Sequence, residues 1–396
     1  MGNPNDLKMT RKPLFTYGSL EPFIRGIRAS NPQDLNAEVW RKAHPGESHA
    51  AWRKVAREHL MQQLQFNPGR SSLDAETIDR TDHGDFILER IAFSNTPWSR
   101  VNGYFLLPKG VPQPMPGLVV HHAWGGPILW GKDRIVNSGR DHHVLAEHRE
   151  KFYSGRYLAE EFAKQGYAVI VIDTHHFGER IPLGVGGIPE KLDPYETNIR
   201  ENMRIDWLVR DMLYTSVREL NWAGVTWAGI NFWDDSRCVD YLISRPEVDG
   251  ERIGCTGLSV GGYRVNVLAA LDERVACSIS NGWMTTGDYQ QIYNVDGVCG
   301  TFSMLPGVWN RMDVPDLPIM AAPNAFMTIS NRQDPLFPQE AQDEAARRIR
   351  DGFEWAGVVE KYEDVGLPKR HIYDRDLQEI AFACFEKHLR PGKSGA

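Results

Sequence analysis

The stretch Gly257-x-Ser259-x-Gly261 constrains this chain more than any other feature of its sequence. A short apolar run over residues 253–256 precedes it and predicts a buried strand, and a helical run over residues 260–271 follows it. A serine on so sharp a strand-to-helix turn needs strained backbone angles, and flanking glycines let the neighbouring chain pass without a Cβ clash. The pattern therefore predicts a nucleophile elbow, with the Ser259 hydroxyl held clear of the sheet above a helix N-terminus.

The sequence around the elbow supports this interpretation. A helical pattern over residues 231–244 stops at Arg245-Pro246, as helices do before proline. A turn at Val248-Asp249-Gly250 then leads into the strand, so the predicted order is helix, turn, strand, elbow and helix. The alternative is a glycine-rich turn between two buried elements, because three fixed positions in five also occur by chance.

Strands and helices alternate along most of the chain. Predicted strands cover residues 86–93, 101–107, 117–121, 167–172, 253–256, 275–280, 325–329 and 358–362. Predicted helices cover residues 156–164, 231–244, 260–271, 338–351 and 374–389. This alternation predicts an α/β fold with a mostly parallel central sheet and helices on both faces. Ligands of such sheets bind at the carboxyl ends of the strands.

Three segments do not follow the alternation. Residues 32–64 have an amphipathic helical pattern, so residues 1–80 are predicted to form a helical extension of a catalytic domain that spans 81–396. Residues 181–229 and 282–323 are long and rich in Gly, Pro and aromatic residues, and we interpret both as lids over the strand ends. Their tryptophans are candidates for pocket walls or, equally, for core anchors of the insertions: Trp207, Trp222, Trp227, Trp283 and Trp309.

Composition narrows the functional classes. A formal net charge of -7 argues against a nucleic-acid or anionic-membrane partner, and the sequence has no run of about eighteen apolar residues that could span a bilayer. Residues 1–10 lack the apolar core of a signal peptide, and the five cysteines match no zinc or redox spacing. We therefore expect a cytoplasmic protein with reduced thiols. Cys299 falls in a loop, and the other four are predicted to be small core hydrophobes: Cys238, Cys255, Cys277 and Cys384.

A serine hydroxyl becomes a nucleophile at neutral pH only when a base lies within hydrogen-bond reach and a carboxylate orients that base. In folds with this elbow the partners follow in the order serine, acid, histidine. Asp334, in the loop after the strand at 325–329, is the predicted acid; an ordinary Asp-Pro turn is its alternative role, and Asp288 is the substitute. Of the two histidines beyond Asp334, His388 falls in the last turn of a helix, so His371 is the predicted base.

The tetrahedral intermediate of acyl transfer carries a negative charge that backbone N–H groups must meet. The predicted donors are the N–H of Val260, directly after the serine, and that of Trp124, in the segment after the strand at 117–121. The predicted substrate contacts lie at strand ends or in the second insertion: His122, His175, His176 and Trp283.

Histidines at 121–122, at 142, 143 and 148, and at 175–176 raise the question of a metal site. None has the His-x-x-x-His spacing, and no adjoining carboxylate completes a site, so neither a metal nor a cofactor is predicted. Glu179 and Arg180 are interpreted as a structural ion pair at the base of a loop.

Several local patterns together resemble a known family. They are His122-Ala123-Trp124-Gly125-Gly126, Phe177-Gly178-Glu179-Arg180 after Asp173, Arg245-Pro246-Glu247-Val248-Asp249, the elbow itself, Asn331-Arg332-Gln333-Asp334-Pro335, and His371 followed by Asp374 and Gln378. From about residue 101 to residue 389 the chain resembles α/β-hydrolases of the acetyl xylan esterase-like and dienelactone-hydrolase-related branch. This resemblance implies the same nucleophile, acid, base and oxyanion donors. Ala123 and Val260 replace smaller residues common in the family, which implies a tighter oxyanion pocket.

The main hypothesis is a serine hydrolase that cleaves a carboxylic ester through an acyl-enzyme, with an acetyl or other acyl ester of a carbohydrate or small molecule as substrate. One alternative uses the same triad to cleave a carbon–carbon bond or to transfer an acyl group. Another is a catalytically inactive binding protein that retains the triad residues. Aromatic-rich insertions suit a sugar face and an aromatic ring equally, and one fold hosts many substrates, so the ester is left open. The oligomeric state is also left open.

Overall fold

A nine-stranded sheet forms the centre of the protein. The structure, a computed structural model, describes residues 17–289 and 305–390. The strands are β1 (Glu76–Asp82), β2 (Phe86–Thr96), β3 (Ser99–Pro108), β4 (Met115–His121), β5 (Ala168–Ile172), β6 (Val248–Leu258), β7 (Val275–Asn281), β8 (Ala325–Asn331) and β9 (Tyr362–Leu367). Their order across the sheet is β1-β2-β3-β5-β4-β6-β7-β8-β9.

The sheet changes from antiparallel to parallel along this order. The pairs β1–β2, β2–β3 and β3–β5 are antiparallel, and every pair from β5 across to β9 is parallel. The five parallel pairs outnumber the three antiparallel ones. The carboxyl ends of β4 to β9 therefore lie at one edge of the sheet, where the predicted site residues follow their strands.

The helices are α1 (Tyr17–Ser30), α2 (Ala37–Ala43), α3 (His49–Leu64), α4 (His143–Tyr153), α5 (Leu158–Lys164), α6 (Ile199–Trp222), α7 (Trp227–Ser244), α8 (Val260–Leu271), α9 (Pro306–Trp309), α10 (Asp316–Ala321), α11 (Gln339–Trp355) and α12 (Arg375–Leu389). Short 3₁₀ turns occur at Lys132–Arg134, Gly178–Arg180, Pro194–Glu196 and Val359–Lys361.

Two hydrophobic layers enclose the sheet, one on each face. All residues of β4 and β5 are buried, as expected of strands covered on both sides. Along β4, Val119 points into the layer formed by α7, α8, α10 and α11, whereas Leu118 and Val120 point into the layer formed by α5 and α12. The predicted α/β fold, with a mostly parallel sheet and helices on both faces, is confirmed.

The N-terminal helices pack against the layer that contains α8 and α10. Trp52 of α3 is fully buried, and its indole N–H donates to the carbonyl of Leu35 at 2.8 Å. His49 lies 3.0 Å from the carbonyl oxygen of Ile319 in α10, and the Thr226 hydroxyl donates to the carbonyl of Leu64 at 2.6 Å. These contacts join α3 to elements more than 150 residues away in the chain. The predicted end of the N-terminal extension, residue 80, falls within β1, so the sheet begins a few residues before that boundary.

The structure differs from the prediction at four elements. The last strand is β9 rather than residues 358–362, because a 3₁₀ turn occupies Val359–Lys361. The insertion at 181–229, for which no helix was predicted, contains the 24-residue helix α6, and α7 begins within it at Trp227. Strand β1 and helix α4 were not predicted at all.

The tryptophans of the insertions divide into two groups. Trp227 and Trp283 are buried and act as core anchors, and Trp309 packs partly buried against the core. Trp207 and Trp222 are exposed on α6. Part of the second insertion, residues 290–304, lies outside the described residues.

The described cysteines are reduced and buried. Cys238 lies in one hydrophobic layer, and Cys277 and Cys384 lie in the other with their sulfur atoms 3.9 Å apart. Cys255 is buried on β6, and burial raises the pKa of its thiol to about 12. Cys299 lies outside the described residues. Within residues 17–289 and 305–390, no helix is both long and apolar enough to cross a membrane.

Candidate active site

Ser259 occupies the strained position that the sequence predicts, between β6 and α8. Its φ of 62° and ψ of -123° lie outside the regions that most residues adopt. A Cβ at Gly261 would lie 2.8 Å from the carbonyl oxygen of His121, and a Cβ at Gly257 would lie 2.8 Å from the Gly261 backbone. Both glycines are therefore required for the chain to turn this tightly beside β4.

The elbow is also fixed to the neighbouring strand. The N–H of Ser259 donates to the carbonyl of Asn281, the last residue of β7, at 2.8 Å. Val260 is the first residue of α8, so its N–H belongs to the helix turn whose amides have no partner within the helix. The positive end of the α8 dipole adds to the attraction that this N–H offers a negative charge.

Asp334 and His371 meet across the ends of β8 and β9. The Nδ1 atom of His371 lies 2.5 Å from the Oδ2 atom of Asp334. The Asp334 side chain is fully buried, and its other carboxylate oxygen accepts the N–H of Leu336 at 2.9 Å. Asp288, the substitute acid, is exposed and pairs with Arg28 at 2.5 Å instead.

Backbone hydrogen bonds join the loop that carries Asp334 to the loop that carries His371. The N–H of Arg332 donates to the carbonyl of Leu367 at 2.8 Å, and the N–H of Gln333 donates to the carbonyl of Lys369 at 3.0 Å. The two loops therefore form one unit, and the distance between carboxylate and imidazole does not depend on their side-chain contact alone.

Two asparagines that the sequence reasoning missed hold the residue after the histidine. The amides of Asn281 and Asn331 donate to the carbonyl of Ile372 at 3.1 Å and 3.2 Å, and the Asn331 amide also donates to the Asn281 side chain at 3.1 Å. Each asparagine is the last residue of its strand, β7 or β8. The available signal was an asparagine at or just after the carboxyl end of two predicted strands, 275–280 and 325–329.

The imidazole lies against the same segment that anchors the elbow. A Cβ placed on Gly282 would be 3.2 Å from Cε1 of His371 and 3.3 Å from a methyl carbon of Leu258. Gly282 follows Asn281, whose carbonyl accepts the Ser259 N–H. The structure thus brings Ser259, Asp334 and His371 to neighbouring strand ends of one sheet edge.

The segment that contains Trp124 begins beside the elbow. His121, at the end of β4, pairs in register with Gly257 of β6. The carbonyl of His122 would lie 3.2 Å from a Cβ on Gly261, so the backbone after β4 passes over the first turn of α8. Trp124 itself is buried, and its ring packs on Phe177 with a centroid distance of 4.9 Å.

The four predicted substrate contacts have different surroundings. Both ring nitrogens of His122 are bonded to backbone: Nδ1 to the carbonyl of Ala123 at 2.9 Å and Nε2 to the N–H of Thr174 at 3.0 Å. Burial lowers its pKa to about 3, so the ring is neutral and Nδ1 carries the proton. His122 therefore has no nitrogen left for a substrate, and it fixes the strand ends instead.

His176 and Trp283 are buried as well. The Nε2 atom of His176 lies 3.0 Å from the carbonyl oxygen of Val209 in α6, and Trp283 packs between Tyr263 and Phe337. In contrast, His175 is partly exposed, and within the described residues its Nδ1 atom has no hydrogen-bond partner. Burial and the charge of Arg180 lower the pKa of His175 to about 3, so its ring is neutral. Of the four, His175 is the one whose side chain is not fully buried.

The charged residues near these histidines pair differently from the prediction. Glu179 and Arg180 do not pair with each other: Arg180 lies 2.6 Å from Asp234, and Glu179 lies 3.2 Å from Lys132. The Lys132 ammonium is buried and bonds to Asp173 at 2.7 Å. The described residues include no group of three or more His, Cys, Asp or Glu side chains placed to hold a metal ion.

This arrangement agrees with the comparisons with known proteins. The model of the Abhydrolase family matches residues 23–334. The chain belongs to this family. His371 lies beyond the matched residues, so its assignment depends on the fold and on its contact with Asp334. A relative named "Putative hydrolase YtaP" from Bacillus subtilis (strain 168) is 22% identical over 339 residues, which cover 85% of this chain and all of the relative.

Solved structures share the fold at low sequence identity. One described as "a putative acetyl xylan esterase" from Bacteroides fragilis is 15% identical, with a TM-score of 0.66 and coverage of 92% of this chain and 87% of its own. A glucuronoyl esterase from Solibacter usitatus is 14% identical, with a TM-score of 0.58 and coverage of 87% and 95%. The predicted α/β-hydrolase family and fold are confirmed, and the acetyl xylan esterase-like structure is among those that share the fold.

Proposed function

We propose that this Abhydrolase family chain is a serine hydrolase of carboxylic esters, with Ser259 as nucleophile, His371 as general base and acid, and Asp334 as the carboxylate that orients the histidine. The observation that carries the proposal is the 2.5 Å contact between Asp334 and His371, at the sheet edge where Ser259 has a φ of 62°. The family membership and the hydrolase name of the Bacillus subtilis relative support it.

Asp334 sets the direction in which His371 works. The carboxylate accepts a hydrogen bond from Nδ1–H, so the other ring nitrogen, Nε2, is unprotonated and acts as the base. When the Ser259 oxygen attacks the ester carbonyl, its proton moves to Nε2 and the carbonyl electrons move to the oxygen. The imidazolium that results is stabilised by the buried carboxylate.

The oxyanion then accepts hydrogen bonds from the backbone N–H groups of Val260 and Trp124. Collapse of the tetrahedral intermediate breaks the ester C–O bond, and Nε2–H protonates the leaving alcohol. Water repeats the sequence on the acyl-enzyme: Nε2 takes one proton from it, the tetrahedral intermediate forms again, and the carboxylic acid leaves as the proton returns to Ser259. No cofactor is needed for these steps.

The substrate belongs, we propose, to the acyl esters of carbohydrates or of similarly polar small molecules. Structures with the same fold are named acetyl xylan esterase and glucuronoyl esterase. His175, which is neutral and partly exposed after the end of β5, is the predicted contact that we propose for such a substrate.

Replacement of Ser259 by Ala tests the proposal. Turnover of p-nitrophenyl acetate and of acetylated xylo-oligosaccharides should fall to the background rate, while the far-UV circular dichroism and melting temperature stay those of the parent. Ser330→Ala is a matched control, because Ser330 is also a buried serine of the sheet but bonds to Asp364 at 2.8 Å, away from the elbow. Retained activity in Ser259→Ala would end the proposal.

Product analysis then separates the possible reactions. Hydrolysis should release acid and alcohol in equal amounts, whether or not a second alcohol is added as acceptor. Covalent labelling of Ser259 by a fluorophosphonate should occur in the parent and not in Ser259→Ala. An unlabelled parent would favour a binding protein.

A further inference from the structure

A buried arginine lies directly behind the segment that carries the predicted oxyanion donor. Arg134 is fully buried in the 3₁₀ turn Lys132–Arg134, ten residues after Trp124. Its hydrogen bonds in the described part of the chain go to backbone carbonyls. They reach the carbonyl oxygens of Ala123 at 2.7 Å, Gly125 at 3.1 Å and Trp124 at 3.3 Å, and Nε reaches that of Pro127 at 3.1 Å.

The one remaining carbonyl of this segment also faces an arginine. The carbonyl of Gly126 accepts from Arg210 of α6, so all carbonyls from residue 123 to residue 127 accept from a guanidinium. A run of five consecutive carbonyls that converge on two side chains is neither helix nor strand. The segment is curled so that four of its carbonyls, those of residues 123–125 and 127, face Arg134.

Peptide geometry fixes what lies on the other side. In a trans peptide the C=O of one residue and the N–H of the next lie in one plane and point in opposite directions. Because the Ala123 carbonyl points at Arg134, the N–H of Trp124 points away from Arg134. The same holds for the N–H of Gly125 and of Gly126, whose preceding carbonyls also face Arg134.

We infer that Arg134 is the positioning residue of the oxyanion site: it gathers the carbonyls of residues 123–125 and so turns the Trp124 N–H and the amides after it toward the nucleophile. This inference depends on the proposed function, since it assigns a role within the same site. Arg134 does not touch the reacting atoms. It acts through the backbone.

The charge of Arg134 contributes to the same end. Burial lowers its pKa to about 10, so the guanidinium stays charged at neutral pH. Its immediate partners are neutral carbonyls, and its ring contact is Phe177, whose centroid lies 5.3 Å from the guanidinium carbon. Burial of a cation is costly unless hydrogen bonds compensate it, as those from Arg134 to the five-carbonyl segment do, and its charge lies behind the proposed site where negative charge develops.

Two substitutions separate the parts of this role. Arg134→Met removes both the donors and the charge, and Arg134→Lys keeps the charge but not the fork that reaches several carbonyls. With p-nitrophenyl acetate, kcat should fall about 100-fold in Arg134→Met and about 10-fold in Arg134→Lys, with KM changed less than threefold, because loss of one oxyanion donor costs about 100- to 1,000-fold in kcat. A rise in KM at unchanged kcat, or an unchanged kcat in either folded variant, would overturn the inference.

Arg237→Met is the matched control. Arg237 is also a buried arginine that donates to two backbone carbonyls, those of Ser71 at 2.8 Å and Ser94 at 2.9 Å, on the side of the sheet that carries β1 and β2. It should lower the melting temperature without a change in kcat. An equal loss of kcat in Arg237→Met would show that general loosening explains the Arg134 result and would overturn the inference.

The unaltered protein provides a second test that needs no variant to fold. Ser259 labelled with a fluorophosphonate holds a phosphonyl oxygen where the oxyanion forms. Amide hydrogen exchange in the peptide over residues 122–128 should slow at least tenfold on labelling, and unchanged exchange would overturn the inference. Failure of the proposed function is recognised separately, because Ser259→Ala would then keep its activity and Ser259 would not be labelled.

Discussion

Asparagine in place of Asp334 should disable the site without disturbing its shape. In the parent, one oxygen of Asp334 faces Nδ1 of His371 at 2.5 Å, and the other accepts the N–H of Leu336 at 2.9 Å. The amide of asparagine has a single acceptor oxygen. That oxygen should stay on the buried N–H of Leu336, because the opposite orientation would place the NH2 group against this N–H, two donors facing each other. The NH2 group of the variant must then face His371.

This orientation reverses the tautomer of the histidine. Nδ1 becomes the acceptor and the proton moves to Nε2, which can no longer take the proton of Ser259. The expected loss is about 10,000-fold in kcat, the size found when a triad aspartate is replaced in this way, or about 5.5 kcal/mol of transition-state stabilisation. Water does not rescue the variant, since the Asp334 side chain is fully buried.

The assay is steady-state hydrolysis of p-nitrophenyl acetate at pH 8 by the parent, Asp334→Asn and Asp288→Asn. The second variant makes the same chemical change at an exposed aspartate that pairs with Arg28, and it should keep the parental kcat. Melting temperatures confirm that both variants fold. A folded Asp334→Asn within tenfold of the parental kcat would refute the role given to Asp334.

Three further predictions concern stability. His148→Leu should reduce the pH dependence of stability. Burial and the charge of Arg134 lower the pKa of His148 to about 2, so below about pH 6.5 the unfolded chain binds a proton that the folded chain does not. The free energy of unfolding in urea that is lost between pH 7 and pH 5 should therefore be about 2 kcal/mol smaller in the variant than in the parent. Equal losses would contradict this. Gly261→Ala should lower the free energy of unfolding by about 1–3 kcal/mol and reduce activity, because its Cβ would lie 2.8 Å from a backbone oxygen. Gly26→Ala in α1, where a Cβ would meet nothing, should instead stabilise the protein by about 0.5–1 kcal/mol in thermal melts. Trp52→Ala should cost about 3–5 kcal/mol in urea unfolding, and Val55→Ala on the exposed side of α3 under about 1 kcal/mol; similar values would argue against docking of α3 through Trp52.

The core of the fold and the residues of the candidate site could be predicted because local signals specify them. Ser259 lies between two glycines that its tight turn requires, and the apolar strands alternate with helical patterns, one of which stops at Arg245-Pro246. Asp334 and His371 could be assigned because each follows a strand that reaches the same sheet edge. Their contact was inferable from chain order, whereas the two loops' backbone bonds, such as that from Gln333 to Lys369, were not.

The elements that were missed lack such signals or carry conflicting ones. Every residue of β1 is exposed, so the strand has no apolar alternation and is specified by its pairing with β2, including the Arg90–Asp79 ion pair. Helix α6 does have a signal: its buried line recurs every four residues as Ile205, Val209, Leu213 and Val217. The Gly- and Pro-rich residues before it obscured this period. The contacts of His122 could not be predicted, because a position at the end of a strand does not reveal which groups the two ring nitrogens bond to.

The hydrogen bonds between α6 and the segment after β4 matter for the design of chimeras between α/β-hydrolases. Asp206 accepts the N–H of Ile128 at 2.6 Å and the Arg210 side chain at 2.6 Å, and Arg210 in turn reaches the Gly126 carbonyl. A chimera that imports a different insertion at 181–229 would remove both side chains and release one end of that segment. Chimeras designed to alter substrate selectivity should therefore retain the Asp206–Arg210 pair. Without it, kcat should fall because the segment after β4 is less well held, whatever the new insertion does to the pocket.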